Sequence, residues 1–324
     1  VVVGKHQNMM AEVNMDFVDE QNDAGEFVRQ EDAFRSWVTC DGSSEYPAEP
    51  NRYHLYVSLA CPWAHRTVII RKLKALEPLI GMTVLDPIRD ERGWAFREGE
   101  GCTEDPINQF TSLSEAYIAS ESGFKGRVTV PVLWDKKTAR IVNNSEDDIT
   151  RMFNSAFNGF TQSTLDIYPE ALRFEMDPLI QMVYEKINNG VYKTGFSTTQ
   201  VVHEKEVTLL FEALDQLENR LSKQRYLLGS QLCEVDWRLF PTLIRFDPVY
   251  HGHFKCNLRR IVDYPNLYGY MKDIYQQPYI AETVNFDHIK RHYYVTHTEI
   301  NPTQIVPLGP VLDLNTAHGR EKLT

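Results

Sequence analysis

The order of apolar and polar residues predicts that the chain begins its ordered part with a strand, a helix and a second strand. The segment 52–57 alternates as a strand does, with apolar or aromatic residues on one face. Apolar residues then recur at helical spacing from Trp63 to Leu76, and Met82 to Leu85 forms another short apolar run. Consecutive strand, helix and strand predict a parallel pair with a right-handed crossover.

A second set of elements completes a sheet. The run 128–135 has the composition of a strand interrupted by Pro131, and 139–142 predicts a fourth, shorter strand. Ser145 precedes an acidic first turn, which is typical of a helix start. These elements predict a four-stranded mixed sheet with helices on its faces.

Strand patterns stop after about residue 155, and helical periodicity takes over. Helices are predicted over 165–190, 200–223, 236–246 and 264–277. The clearest apolar stripe lies in the second of these, at Val207, Leu210, Leu214, Leu217 and Leu221. The predicted fold class is therefore α/β plus all-α, with an N-terminal sheet domain followed by an all-helical C-terminal domain.

These patterns divide the chain into four parts. Residues 1–50 are polar and predict an extended or loosely packed N-terminal extension. The sheet domain spans 51–160 and contains an insertion, 86–127, whose length is typical of a functional lid. The helical domain spans 161–297, and 298–324 forms a tail rich in Pro, Asn and Gly.

Composition narrows the class of protein. The 324 residues carry a net charge of −11, which disfavours nucleic acid as a partner. No stretch approaches the roughly 20 apolar residues of a membrane span. The first ten residues lack the apolar core of a secretory signal, although the absence of an initiator Met leaves room for a removed organellar targeting segment.

The cysteines indicate a reducing compartment. Five cysteines at irregular spacing, without a CxxC pair, argue against both a disulfide framework and a zinc site. A cytoplasmic enzyme with free thiols and no metal is the simplest interpretation. Four of these residues have no reactive context and are interpreted as structural: Cys40, Cys102, Cys233 and Cys256.

Cys61 differs from the others by its position. It follows the first strand and precedes Pro62, which suits the first position of a helix. A thiolate at a helix N-terminus accepts hydrogen bonds from free N–H groups, so we expect its pKa to fall from about 8.5 into the range of about 3.5–7.5. His65 and Arg66 are expected to add positive potential. Position 64 is Ala64, so an external thiol would have to resolve any covalent intermediate.

Two further features suggest a peptide ligand. Pro131 removes a ladder donor from a strand, which is tolerated if the preceding peptide bond is cis and Val130 faces a ligand. Ser145 and Glu146 open a helix, where a carboxylate and an ammonium group could both bind, although the same pair could serve only as a cap and an acidic first turn. A small peptide with a thiol and an amino-acid end satisfies all of these features, and glutathione is such a molecule.

The chain resembles the glutathione transferases, and among them the glutathionyl-hydroquinone reductases of the Xi class, over about residues 50–300. The resemblance rests on YHLYVSLACPWAHR at 53–66, DERGW at 90–94, RVTVPVLWD at 127–135, NNSEDDITR at 143–151, NNGVYKTGF at 188–196, RFDPVYHGHFKCN at 245–257 and HYYVTH at 292–297. It implies a thioredoxin-like N-terminal domain, the helical C-terminal domain of glutathione transferases, and a homodimer.

The resemblance also implies the site residues. Cys61 would be the catalytic nucleophile. The implied glutathione-binding residues are Trp94, Arg127, Val130, Ser145 and Glu146. The implied binding residues for a phenolic or quinone-derived substrate are Tyr192, Tyr250 and Tyr293. His292 and His297 are expected instead to pack or to hydrogen-bond at a subunit contact.

The implied reaction removes glutathione from a glutathionyl-hydroquinone and releases the hydroquinone and glutathione disulfide. Glutathione would be a co-substrate, and a mixed disulfide on Cys61 the intermediate. Two alternatives remain at this point: a broader Cys-type thiol transferase or dehydroascorbate reductase, and a non-catalytic ligand-binding homologue. The latter has no need of a reactive thiol.

Overall fold

The predicted mixed sheet is present in the computed structural model, which describes residues 20–324. Six strands are found in this part of the chain: Val38–Thr39 (β1), Tyr46–Pro47 (β2), Tyr53–Val57 (β3), Gly81–Val84 (β4), Val132–Asp135 (β5) and Arg140–Asn143 (β6). The last four form one sheet in the order β4-β3-β5-β6, in which β3 and β4 are parallel and the other pairs are antiparallel. The strand–helix–strand prediction is thus confirmed.

Strand β3 is central, which explains why it is buried on both faces rather than alternating. All five of its residues are buried, including His54, whose Nε2 lies 2.7 Å from the Thr83 hydroxyl on β4. Burial lowers the pKa of His54 to about 4, so the imidazole is neutral near pH 7.

Helices cover the sheet and continue to the end of the fold. The helices found between residues 20 and 324 are Pro62–Leu73 (α1), Ser114–Ser120 (α2), Glu146–Ser155 (α3), Arg173–Val183 (α4), Gly190–Gly195 (α5), Gln200–Leu221 (α6), Glu234–Arg245 (α7), Pro265–Tyr275 (α8) and Phe286–Thr296 (α9). Single π-helical segments, Tyr184–Asn188 and Phe246–Tyr250, follow α4 and α7. None of the helices in this range is both long and apolar enough to cross a membrane.

Helix α1 links the sheet to the helical region. Its residues from Pro62 to Arg71 are all buried, and the helix packs against both α3 and α7. The apolar stripe predicted in the long helix is buried on α6 as expected. The position of α1 between the two regions places its N-terminus, and the preceding Cys61, next to residues from both.

Three sequence predictions of secondary structure need correction. The insertion 86–127 contains helix α2, whose buried face consists mainly of the small residues Ala116 and Ser120 and of Tyr117. The helix predicted over 165–190 begins only at Arg173, after Pro169 and a short 3-10 turn. Helix α9 was not predicted because its buried face carries two histidines and a tyrosine and only one aliphatic residue, Ile289.

The N-terminal extension is more ordered than the sequence predicts over its described part. Residues 1–19 lie outside the described residues, but Phe27, Val38 and Tyr46 are buried in the core. Strands β1 and β2 form a small parallel pair, and Arg35 bridges to Asn143 at the edge of the main sheet. Residues 20–32, named here the arm, therefore lie against the folded protein.

Candidate active site around Cys61

Cys61 occupies the N-cap position of α1, where the sequence places it. Its backbone is extended (φ −73°, ψ 122°), and Pro62 begins the helix. The backbone N–H groups of Trp63 and Ala64 act on the sulfur and lower its pKa, but the Cys61 side chain makes no cap hydrogen bond. The sulfur also lies 3.8 Å from the carbonyl oxygen of Val130. The start of α1 and the segment that leads into β5 therefore meet at the thiol.

The pKa of the thiol departs from the sequence prediction. Burial raises the pKa of Cys61 above its ordinary value, and this effect outweighs the two N–H groups and the charges of Arg245 and Arg29, which lower it. The predicted fall in the pKa of Cys61 is therefore wrong. Cys61 nonetheless lines a cleft, and 9% of the residue is exposed, so a ligand in the cleft can reach it.

His65 does not supply the positive potential expected of it. Its ring is buried beside Arg245, and both burial and that charge hold the pKa of His65 well below its ordinary value. The neighbouring positive charges come instead from Arg29 and Arg245, which lie far from Cys61 in sequence.

Six of the nine predicted site residues line the same cleft. These are Cys61, Trp94, Arg127, Val130, Tyr192 and Tyr293. Trp94 stacks on His292, with ring centroids 5.1 Å apart and an interplanar angle of 18°. The Val130–Pro131 peptide bond is cis, as predicted. The remaining three residues lie behind the wall of the cleft.

Ser145 and Glu146 are separated from the cleft by the arm. Glu146 is buried and lies 3.8 Å from Arg29 and 3.3 Å from Arg66. The hydroxyl of Ser145 hydrogen-bonds with Asp32 and makes no cap bond at the start of α3, contrary to the predicted capping role. Both residues therefore hold charged or polar groups of the arm in place.

Arg127 also contacts the arm, through a close ion pair with Glu20. The Arg127 side chain is largely buried and lines the cleft near Val130. A ligand carboxylate that binds Arg127 must therefore compete with the Glu20 carboxylate.

The three predicted tyrosines form one hydrogen-bonded group. The hydroxyl of Tyr293 lies 2.6 Å from that of Tyr192 and 3.0 Å from that of Tyr250. Tyr250 lies behind the other two and does not line the cleft. Burial raises the pKa of Tyr250 to about 12 and those of Tyr192 and Tyr293 well above 10, so all three phenols are neutral donors at pH 7.

Sequence reasoning missed the contribution of the arm and of two histidines. The guanidinium of Arg29 lies 4.0 Å from the centroid of the Trp63 ring, and Phe27 stacks on Tyr192 at 6.1 Å. The alternation of Phe27 and Arg29 in a polar segment was the available signal, since an extended chain points both to the same side. His292 and His297 also line the cleft, and the expected subunit contact at these residues stays a prediction.

Comparison with known proteins agrees with this architecture. Residues 200–273 match the family model described as "Glutathione S-transferase, C-terminal domain". The glutathionyl-hydroquinone reductase YqjG of Escherichia coli is 51% identical over 310 residues, which is 94% of either chain. The glutathionyl-hydroquinone reductase PcpF of Sphingobium chlorophenolicum is 45% identical over 296 residues, 91% of this chain and 93% of that protein.

Solved structures give the same result. The glutathione-bound structure of YqjG superposes with a TM-score of 0.88 over 90% of this chain and 96% of that chain. The glutathione S-transferase Xi of Phanerochaete chrysosporium, 49% identical, superposes with a TM-score of 0.87 over 90% and 95%. The fold is that of a glutathione transferase, a mixed four-stranded sheet followed by a helical region. Within that class, the chain belongs to the Xi-class glutathionyl-hydroquinone reductases.

Proposed function

We propose that this enzyme removes glutathione from glutathionyl-hydroquinones with Cys61 as the nucleophile. The observation that carries the proposal is the shared cleft, in which the Cys61 sulfur, the Val130 carbonyl and the hydroxyl-bearing Tyr192 and Tyr293 lie together. A thiol next to neutral phenol donors suits attack on the sulfur of an aryl thioether, because negative charge then develops on the aryl product.

The first displacement transfers the glutathionyl group to the enzyme. The Cys61 thiolate attacks the glutathione sulfur of the substrate and forms an S–S bond. The sulfur–aryl carbon bond breaks, and its electron pair stays on the ring carbon, which takes up a proton to give the hydroquinone. The phenols of Tyr192 and Tyr293 donate to the substrate oxygen and stabilise the charge that the ring acquires.

The second displacement restores the enzyme. A glutathione thiolate attacks the glutathionyl sulfur of the mixed disulfide, forms glutathione disulfide and releases the Cys61 thiolate. The aryl carbon is thus reduced while two glutathione sulfurs are oxidised to one disulfide. Ala64 leaves the enzyme without a second thiol at this position, which agrees with glutathione as the resolving thiol.

For glutathione we propose a site formed by Trp94, Arg127, Val130, Ser145 and Glu146. The Val130 backbone lies beside the thiol and can pair with the peptide, and Arg127 can bind a carboxylate. Glu146 can bind the ammonium group once Arg29 gives way, since both compete for the same carboxylate. Tyr250 acts through Tyr293, because its hydroxyl bonds to that residue.

The test compares Cys61→Ser with Cys40→Ser, which alters an exposed cysteine outside the cleft. With glutathionyl-menadione as substrate, Cys61→Ser is expected to lose at least 10³-fold in kcat, and Cys40→Ser to keep wild-type activity. Mass spectrometry after one turnover without free glutathione should find a glutathionyl group on Cys61 alone. Retained activity in Cys61→Ser would overturn the mechanism. A comparison with dehydroascorbate as substrate measures how broad the thiol transfer is.

We also propose that the enzyme is a cytoplasmic homodimer. The resemblance to the family supports the dimer, and five free cysteines suit a reducing compartment. Light scattering coupled to size exclusion would measure the mass in solution, and cell fractionation the location. A monomer, or a protein confined to an oxidising compartment, would contradict this part of the proposal.

A further inference from the structure

Arg245 ties the helical region to the turn that precedes the nucleophile. It is the last residue of α7 and is fully buried. Its Nε donates to the Ala60 carbonyl at 2.8 Å, and its Nη2 donates to the Leu59 carbonyl at 2.9 Å. These two carbonyls belong to the residues immediately before Cys61, so one guanidinium holds the segment from which the thiol projects.

The other side of the same guanidinium is fixed as well. Nη1 donates to the Pro241 carbonyl at 2.8 Å and lies 3.0 Å from Nδ1 of His65. Because Arg245 can only donate, Nδ1 accepts and Nε2 of His65 carries the proton towards the Thr283 hydroxyl at 2.8 Å. That hydroxyl donates to the Ile280 carbonyl at 2.7 Å, which ends the chain of bonds.

A comparison with other buried arginines of the site shows what Arg245 lacks. Arg66 has Glu146 and Asp147 as partners, and Arg238 has Glu234 and Asp147. Within residues 20–324, no carboxylate lies at ion-pair distance from Arg245, whose bonds go to three carbonyls and one imidazole. Burying a cation without a counter-ion costs free energy. An anion that forms beside Arg245 is therefore stabilised by the guanidinium.

We propose that Arg245 is a positioning residue for the nucleophile, which holds the Leu59–Ala60 turn and provides the cation beside which the Cys61 thiolate forms. This inference rests on the proposed role of Cys61. It also explains why the helical region takes part in the chemistry of a thiol that the sheet region carries. The segment that begins at Arg245 continues directly into the π-helical turn that ends at Tyr250. This short stretch of chain therefore fixes the position of the tyrosine group relative to the thiol.

The electrostatics agree with this geometry. The Arg245 charge lowers the pKa of Cys61 and acts against burial, and it lowers the pKa values of Tyr250 and Tyr293 as well. Among the described residues, the other titratable groups that interact with the thiol are Arg29 on the arm and the phenols of Tyr192 and Tyr250. Of these, only Arg29 shares the sign of Arg245, and it already interacts with Glu146.

The experiment measures alkylation of Cys61 by iodoacetamide between pH 6 and pH 10.5, followed by mass spectrometry of the Cys61 peptide. Arg245→Gln removes the charge and keeps a donor, whereas Arg245→Lys keeps the charge. Arg320→Gln is the matched control, because Arg320 is also buried and donates to the carbonyls of Leu221 and Gln224 far from the cleft. Thermal melting shows whether each variant is folded.

At pH 8 we expect Arg245→Gln to react about tenfold more slowly at Cys61, which is a midpoint shift of about one pH unit. The alkylation rates of Cys61 in Arg245→Lys and Arg320→Gln should stay within twofold of the wild-type rate. Equal rates in wild type and Arg245→Gln, or equal slowing in Arg245→Gln and Arg320→Gln, would overturn the inference.

If Arg245→Gln does not fold, Arg245→Lys decides. One lysine nitrogen cannot occupy both the Nε and the Nη2 positions, so kcat should fall at least fivefold with little change in KM for glutathione. An unchanged kcat would exclude a positioning role. Activity of Cys61→Ser separates the two proposals: an inactive Cys61→Ser with unaffected Arg245 variants removes only the inference about Arg245.

Discussion

The two ends of the cleft differ in charge: one end contains ion pairs, and the other contains neutral hydroxyl groups. At the glutathione end, the arm supplies a charged or polar partner to each of Arg127, Glu146 and Ser145. At the other end, the neutral phenols of Tyr192, Tyr250 and Tyr293 hydrogen-bond to one another. The glutathione end must therefore exchange one set of ionic partners for another, whereas the tyrosine end is already arranged to donate. We expect variants of the first to change binding and variants of the second to change the chemical step.

The strongest test of this contrast is Tyr293→Phe. The variant removes the hydroxyl that bonds to both Tyr192 and Tyr250, so the substrate loses an aligned donor. We expect kcat to fall about 10²-fold with KM for glutathione nearly unchanged, as when one donor to a developing anion is lost. Tyr294→Phe is the control, since that hydroxyl donates to the Pro248 carbonyl outside the tyrosine group. A main effect on KM would contradict the contrast.

Arg127→Gln tests the opposite end. A charge-assisted hydrogen bond contributes about 1.5–3 kcal/mol, so KM for glutathione should rise about tenfold or more while kcat at saturation changes little. Arg140→Gln serves as the control, because Arg140 lies on the outer strand β6 and donates to the carbonyl of Ser120 at the end of α2. Steady-state kinetics with varied glutathione would measure both values. A fall in kcat without a rise in KM would assign Arg127 to the chemical step instead.

A smaller effect of opposite sign is expected from Glu20→Gln. Since Glu20 competes with the ligand for Arg127, its neutralisation should lower KM for glutathione by a factor of about three. Glu26→Gln, on the same arm but paired with exposed Lys205, should leave KM unchanged. In the Arg127→Gln background the benefit of Glu20→Gln should disappear, which a double-mutant cycle would detect. A raised KM in Glu20→Gln would mean that the pair supports the site.

The smallest expected effect is on stability. Burial and the neighbouring Glu146 raise the pKa of Asp32 to about 7, so the folded protein favours the neutral acid. A carboxyl with a raised pKa contributes most stability at low pH, and this contribution is lost as pH rises from about 4 to about 7. Asp32→Asn should therefore melt about 2–4 °C higher than wild type at pH 8 and show little difference at pH 4. Equal melting curves of Asp32→Asn and wild type at pH 8 would show that the ionised Asp32 carboxylate does not destabilise the folded protein.

Local patterns were sufficient to predict the sheet and the thiol. The alternation before Cys61, the following Pro62 and the helical spacing beyond it predict strand β3, the N-cap position and α1 as they are found. The cis Val130–Pro131 bond follows in the same way from a proline in an apolar, strand-like run, although strand β5 begins only at Val132. These features depend on residues close in sequence, whose physical constraints are visible without the fold.

The pKa of Cys61 and the covering of Glu146 could not be predicted from the sequence. The first depends on how deeply the thiol is buried, and the second on Arg29, which is over a hundred residues away in the chain. Tyr192, Tyr250 and Tyr293 could be named only through the family resemblance, since 16 tyrosines offer no local reason to select three. Helix α9 could not be predicted either, because histidines in a sequence suggest a polar, exposed face, whereas His288 and His292 are buried.

The bond from His65 to Thr283 has a consequence for how such enzymes can be recombined. Thr283 closes the short turn Ala281–Thr283 just ahead of α9, the helix that carries Tyr293, while His65 lies in the first turn after the thiol. Exchange of the helical half with that of a distant transferase would break this hydrogen bond, and the sulfur and the phenols would no longer be correctly positioned relative to each other. Active chimaeras should therefore be those whose donor half brings a hydroxyl residue at position 283.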